Sequence, residues 1–150
     1  MRVEIRNATL EDIDKGLLEV YIEGYNYHND GRPDIFVELS NEELRKNLID
    51  DFGKFTTIVL LKDEEIVGYL SYRIKESYLK KLDVDQLIVK ESCRHMGFGK
   101  KLMDEAKNIA KEIGCDRIEL NCWLFNQNAL DMYEHIGYKR QRIIYEYKID

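Results

Sequence analysis

The run from Leu87 to Gly114 constrains the fold more than any other stretch of this chain. It begins as an apolar strand, Leu87-Ile88-Val89, passes a turn containing Gly97-Phe98-Gly99, and enters a helix. In that helix Leu102, Met103, Ala106, Ile109, Ala110 and Ile113 recur at the spacing of one helical face, and Gly114 stands where a left-handed cap ends a helix. Such an entrance is an anion cradle. First-turn N–H groups lack helical acceptors, glycine permits close backbone approach, and the helix dipole favours negative charge.

Two familiar phosphate loops fail on inspection. A P-loop built on Gly99-Lys100 needs glycine at position 94 and Ser or Thr at 101, where this chain has Arg94 and Lys101. A dinucleotide fingerprint starting at Gly97 needs glycine or alanine at 102, which is Leu102. Taken alone, Gly97-Phe98-Gly99 also fits an ordinary tight turn before a helix.

Around this run the chain alternates strand and helix signals. Val3 to Arg6 reads as a strand, and Thr9 with Asp12 as the cap of a helix bearing Leu10, Ile13, Leu17, Leu18 and Tyr21. Ser40-Asn41-Glu42-Glu43 is a capping box ahead of Leu44, Leu48 and Phe52. Thr56 to Leu61 and Ile66 to Ile74 flank the polar turn Lys62-Asp63-Glu64-Glu65, which predicts a hairpin, and Leu82 to Val89 is a further strand. After the long helix come a strand over Arg117 to Cys122, a short helix from Ala129 to His135 stopped at Gly137, and late strand material in Tyr138 to Ile149. Hairpins are too frequent for a purely parallel sheet, so the expectation is a mixed α+β fold. With 150 residues, no repeat and no Gly/Ser/Pro-rich linker, one domain over 1–150 is expected.

Composition narrows the function classes. Hydrophobic residues at 44% and charged residues at 35% suit a chain that folds throughout. A net charge of -6 argues against nucleic acid as a partner and weakly favours a cationic substrate. The longest apolar stretches fall far short of the roughly 20 residues a membrane helix needs, so no membrane partner is expected. The segment Met1 to Arg6 has no apolar core of an export signal, which points to the cytoplasm. Cys93, Cys115 and Cys122 are odd in number, without paired spacing, and read as buried reduced thiols; His28, His95 and His135 lack metal spacing. No metal is expected.

Two segments together carry a resemblance. Arg94-His95-Met96-Gly97-Phe98-Gly99 is similar to the R/Q-x-x-G-x-G/A pyrophosphate loop of the GNAT superfamily of acetyl-CoA-dependent N-acetyltransferases. Downstream, Asn126 to Tyr138 resembles that superfamily's N-x-x-A-x-x-x-Y-x-x-x-G-[FY] segment, in the same order and at a matching distance. The resemblance implies a mostly antiparallel central sheet flanked by helices and splayed around acetyl-CoA. It implies that Leu87, Ile88 and Val89 pair with the pantetheine arm like an added strand, and that Arg94, His95, Met96, Gly97, Phe98, Gly99 and Lys100 hold the pyrophosphate. Asn126 matches an asparagine near the pantetheine, and Tyr133 a tyrosine that protonates the leaving thiolate. Homodimers are common in the superfamily, so the resemblance also allows a homodimer.

Acetyl transfer from a thioester needs a deprotonated amine, a donor for the oxyanion and an acid for the thiolate. The family implies backbone N–H of Ile88 or Val89 as the donor and Tyr133 as the acid. Tyrosine on a short helix is also an ordinary packing residue, and this chain has ten. For the base, Asp83 and Asp85 lie two apart before the cofactor strand and share a face in regular strand geometry; they are equally well solvent-face carboxylates. The position matched to a glutamate base in some relatives is Asn121, which takes up no proton at neutral pH, and solvent is a further acceptor for the proton. Glu19, Tyr21, Glu23, Tyr25, Tyr27, His28 and Asp30 occupy the region where the superfamily often builds its acceptor site, and Trp123 either lines that cleft or fills core. The expected acceptor is a small-molecule or peptide amine. The alternative function is a noncatalytic acyl-CoA-binding sensor.

Overall fold

A computed structural model describes all 150 residues. Five strands, β1 (Val3–Asn7), β2 (Thr56–Lys62), β3 (Glu65–Glu76), β4 (Lys80–Val89) and β5 (Arg117–Leu120), form one sheet in the order β1-β2-β3-β4-β5. Every pair is antiparallel except β4 with β5, which is parallel. Helices α1 (Leu17–Gly31) and α2 (Asn41–Phe52) cover one face; α3 (Phe98–Ile113) covers the other, and α4 (Gln127–His135) follows β5. The expected mixed α+β fold with a mostly antiparallel sheet is what forms. None of these helices is long and apolar enough to cross a membrane.

The unbroken apolar run in β2 follows from this layering. Ile58 and Leu60 enter the core under α3, with Leu70, Leu82, Leu102 and Met103. Val59 and Leu61 enter the core under α1 and α2, with Leu17, Val20, Leu44 and Leu48. A sheet covered on both faces has no polar side to alternate with. The β2–β3 turn places Asp63 at φ 48° and Glu64 at φ 72°, the left-handed pair that matches hairpin twist.

Three expectations change. The helix expected from Leu10 to Tyr21 is split: a 3-10 turn over Leu10–Lys15 ends at Gly16, φ 118°, and the α-helix starts at Leu17. The break leaves Leu10 exposed while Ile13 and Leu17 are buried. Next, β5 stops at Leu120 instead of Cys122 because its ladder partner leaves. In the β3–β4 register Ser71 faces Gln86 and Tyr72 faces Val84, so Asp85 is the extra residue of a bulge. A bulge bends its strand, and β4–β5 pairing ends at Val84 with Leu120. Finally, the strand expected within Tyr138–Ile149 is absent. The Tyr138 N–H donates to Tyr133 O at 2.8 Å, and no backbone–backbone hydrogen bond follows from 139 to 150. That segment has an alternating pattern, but no neighbouring strand supplies a ladder. Of the three thiols, only Cys93 is fully buried; Cys115 and Cys122 are half-buried.

Candidate active site

The departure of β4 from β5 opens a wedge in the sheet. On its β3 side the end of β4 is fully paired, Gly68 with Val89, Tyr69 with Ile88 and Leu70 with Leu87. On its other side no strand is paired beyond Val84. Lys90 N–H donates to Val67 O at 2.8 Å. By the two-residue alternation of an antiparallel ladder, Ile88 then turns its N–H toward β3, and Leu87 and Val89 turn theirs toward the open side. Of the two oxyanion donors expected, Val89 therefore has its N–H aimed into the wedge. An open edge of this kind accepts an extended ligand as an additional strand.

At the end of that edge the chain turns through Glu91–Cys93 into α3. Arg94 is extended, His95 has φ 65°, and Gly97 has φ 78° as the N-terminal cap residue. A Cβ on Gly97 would meet no protein atom within 4 Å, so its left-handed backbone and the space beside it, not a neighbouring side chain, call for glycine. The requirement at Gly99 is different: a Cβ there would lie 2.9 Å from the Met132 sulfur of α4. Phe98 points into the core and anchors the helix entrance. Arg94 lies over the Tyr27 ring, 5.6 Å from its centroid, and Lys100 pairs with Asp104 at 2.9 Å. Met96 is exposed.

The wedge continues into a cleft of about 350 Å³ whose lining includes Leu87, Ile88, Asn126 and Tyr133 together with Tyr25, His28, Phe36 and Trp123. Asn126 caps α4, accepting from Ala129 N–H at 3.4 Å, and its amide oxygen also accepts from the Tyr27 hydroxyl at 3.3 Å. Tyr133 lies half-buried beside Tyr138, with ring centroids 6.2 Å apart. Burial, then the neighbouring Cys122 and Tyr138, push its hydroxyl pKa well up, so it holds its proton at neutral pH.

The family model for the acetyltransferase (GNAT) family matches residues 20–138. The chain belongs to that family. It is 29% identical over 84 residues to the N-acetyltransferase YvbK of Bacillus subtilis, a match covering 56% of this chain and about half, 53%, of that protein. With an N-alpha-acetyltransferase of Sulfurisphaera tokodaii it shares 26% identity over 160 positions, covering 97% of this chain and 86% of the other. A mutant form of a Bacillus halodurans protein superimposes with a TM-score of 0.84 at 23% identity, covering 97% and 99% of the two chains. At that identity the last likeness is one of fold.

Within this GNAT domain the two carboxylates of β4 that precede Leu87 have different surroundings. Asp83 and Asp85 both line the cleft, as strand geometry predicts, but Asp83 is engaged by Arg73 at 3.4 Å and Lys75 at 3.3 Å. Asp85, on the bulge, has neither a hydrogen bond nor an ion pair. Asp85 is exposed at the cleft, where partial loss of solvent, then the charge of Asp83, raise its pKa, with Arg73 opposing. Asn121 lines the same cleft.

One group was not anticipated. Asp51, in the last turn of α2, has its pKa raised to about 6 by burial and then by the charge of Asp85. Asp85 also acts on Tyr21 and Tyr69, and the Tyr69 hydroxyl donates to Gln86 Oε1 at 2.8 Å. A signal for Asp51 does exist in the sequence: Asp50 and Asp51 close a helix whose last turn has no basic residue, against the preference of the helix dipole. Its partner on β4 is 34 positions away, beyond local pattern. Phe36 lies in the loop after α1, where it packs edge-on against Trp123 with centroids 5.5 Å apart. That makes Trp123 part of an aromatic cleft wall.

Proposed function

We propose that this protein transfers an acetyl group from acetyl-CoA to a primary amine by direct attack within a ternary complex. The observation that carries the reading is the unpaired edge of Leu87–Val89, open toward Tyr133 and ending at the glycine-bearing entrance of α3. The fit is chemical as well as spatial. The edge offers strand-type hydrogen bonds to a pantetheine amide, and the residues Arg94 to Lys100 offer helix-terminal N–H groups and cationic side chains to a diphosphate.

Acetyl-CoA supplies an activated acyl carbon and a thiolate leaving group. Asp85 is the proton acceptor for the attacking ammonium, directly or through water, because its carboxylate is unpaired, while Asp83 is occupied by two cations. Its raised pKa brings it closer to neutrality and improves it as a base. Val89 N–H meets the oxyanion. The amine attacks the acyl carbon, Tyr133 donates its hydroxyl proton to sulfur as the carbon–sulfur bond breaks, and the second proton, lost from nitrogen as the amide forms, passes through solvent and restores the hydroxyl. Tyr25, Phe36 and Trp123 supply a π-rich wall suited to a cation. The N-alpha activity named for the archaeal relative makes peptide N-termini the first acceptors to test.

The test is an acceptor screen with labelled acetyl-CoA, run beside calorimetry of acetyl-CoA binding. Tight binding with label on a peptide or small amine is expected. A folded protein that binds acetyl-CoA yet acetylates nothing across peptide N-termini, lysine and small amines would overturn the enzymatic reading.

A further inference from the structure

The cleft holds two cations that the proposed reaction leaves unused. Its lining includes Arg73 and Lys75 beside Asp83, Asp85 and Asn121. Arg73 and Lys75 stand two apart on β3 and share a face, and the β3–β4 ladder sets Arg73 opposite Asp83. Both reach the same oxygen of that carboxylate, Asp83 Oδ2, Arg73 through Nε at 3.4 Å and Lys75 through Nζ at 3.3 Å. These distances exceed the roughly 2.7–2.9 Å of a well-formed charged hydrogen bond. Two positive charges thus share one negative charge, loosely.

Other arginines of the chain show what a satisfied guanidinium looks like. Arg6 holds Asp12 by two bonds of 2.8 Å, and Arg45 holds Asp14 by bonds of 3.1 and 2.8 Å. Arg73 makes a single long bond through Nε, and both terminal nitrogens of its fork donate to nothing. The guanidinium is nevertheless held in place, 5.6 Å from the centroid of the Phe55 ring. A fixed fork with free terminal N–H groups matches a carboxylate bidentately. Asn121, in the chain just beyond β5, adds a side-chain amide that makes no hydrogen bond.

We propose that Arg73 and Lys75 form a subsite for a carboxylate on the acceptor, so that the preferred acceptor is a primary amine carrying a carboxylate several bonds away. The surplus in the subsite is one positive charge, which one carboxylate neutralises. The inference rests on the amine-acetylating reading of the cleft, with the ammonium at Asp85. Asp83 and Asp85 lie two residues apart on β4, which sets the anion about 7 Å from the ammonium, the span of roughly three or four methylene groups. An α-amino acid, with both groups on one carbon, is too short for both contacts. An ω-amino acid such as 4-aminobutyrate reaches.

The probes are 4-aminobutyrate and butylamine, which differ by a carboxylate in place of a methyl group, with glycine as the short analogue. Binding to the full chain in the presence of coenzyme A is read by nuclear magnetic resonance titration, which needs no acetyl transfer; kcat/KM with labelled acetyl-CoA is measured beside it. Wild type should bind 4-aminobutyrate about tenfold or more tightly than butylamine, and glycine no more tightly than butylamine. Arg73→Gln and, separately, Lys75→Gln should each bring the two affinities toward equality, and Arg73→Lys should restore part of the preference. Both side chains are half-exposed, so these variants should fold. Lys81→Gln is the charge control: it removes a β4 cation that pairs with Glu119 and lies outside the cleft lining, and it should keep the wild-type preference. Equal affinities in wild type would overturn the subsite, as would a preference that survives both glutamine variants or is lost equally in Lys81→Gln. A binding preference that behaves as expected without acetyl transfer to either amine would uphold the subsite and overturn the proposed reaction.

Discussion

α3 and α4 meet where Gly99 approaches Met132, yet they are held very differently. α3 buries Phe98, Leu102, Met103, Ala106 and Ala110 in the larger core, whereas α4 buries none of its nine residues. The first carries the glycine loop and the second carries Asn126 and Tyr133. The glycine loop is therefore anchored on the folding core, whereas Asn126 and Tyr133, which line the cleft, stand on a lightly packed wing. Regions with few buried contacts open at lower free energy than the core, so the same substitution should have unequal consequences on the two helices.

The largest expected effect tests that inequality. Leu102→Ala removes a side chain with no exposure and should cost about 2–5 kcal/mol of unfolding free energy. Leu130→Ala, on half-buried α4, should cost about 1 kcal/mol or less. Urea denaturation of both variants measures this, and equal losses would abolish the contrast.

Next in size is Tyr133→Phe, which leaves the ring and its contact with Tyr138 but removes the donor. If Tyr133 protonates the leaving thiolate, single-turnover acetyl transfer should fall by roughly 10²-fold with acetyl-CoA affinity kept, while stability changes little. A wild-type single-turnover rate would return Tyr133 to a packing role. At the entrance of α3, Gly97→Val should act the other way round, on binding. It puts a β-branched residue at φ 78°, costing about 1–2 kcal/mol, and projects a side chain into space that the protein leaves empty. Acetyl-CoA affinity should drop by about tenfold or more, read by calorimetry on a folded variant. Unchanged affinity would remove the ligand from this loop.

The contrast between the two helices also explains what was legible in the sequence. α3 could be read residue by residue because its periodicity and its glycine cap are local and its partner layer is a sheet covered on both faces. The loop before it was readable for the same reason. Pairing depends on the neighbour, so the local pattern predicts a β5 longer than the one that forms and strand material within Tyr138 to Ile149 that finds no ladder. Nothing in Arg117–Cys122 reports that β4 bulges at Asp85. The bulge also separates two aspartates that look equivalent in sequence: Asp83 meets Arg73 and Lys75 across the β3–β4 ladder, while Asp85 is left without a counter-ion. Asp51 was missed because it approaches from a helix on another layer.

The smallest effect belongs to that last pair. Asp51 has an ordinary carboxyl value of 3.8 and a folded value of about 6, set by burial first and the charge of Asp85 second. The folded state thus holds a proton that the unfolded chain gives up, so the stability contributed by protonated Asp51 is fully present below about pH 4 and lost as pH rises through 6. Asp51→Asn carries no such charge. It should match wild type near pH 4 and exceed it at pH 7 by on the order of 1 kcal/mol, allowing for the partial access of solvent. Asp85→Asn separates the two causes: removing its charge should lower the Asp51 pKa without restoring the ordinary value, because burial remains. It should also lower turnover and change its pH dependence if Asp85 is the base, whereas Asp83→Asn should leave the pH profile alone. Carboxyl titration by nuclear magnetic resonance reads the first effect and pH-dependent turnover the second. If Asp51 titrates identically with and without the Asp85 charge, the two carboxylates do not sense each other.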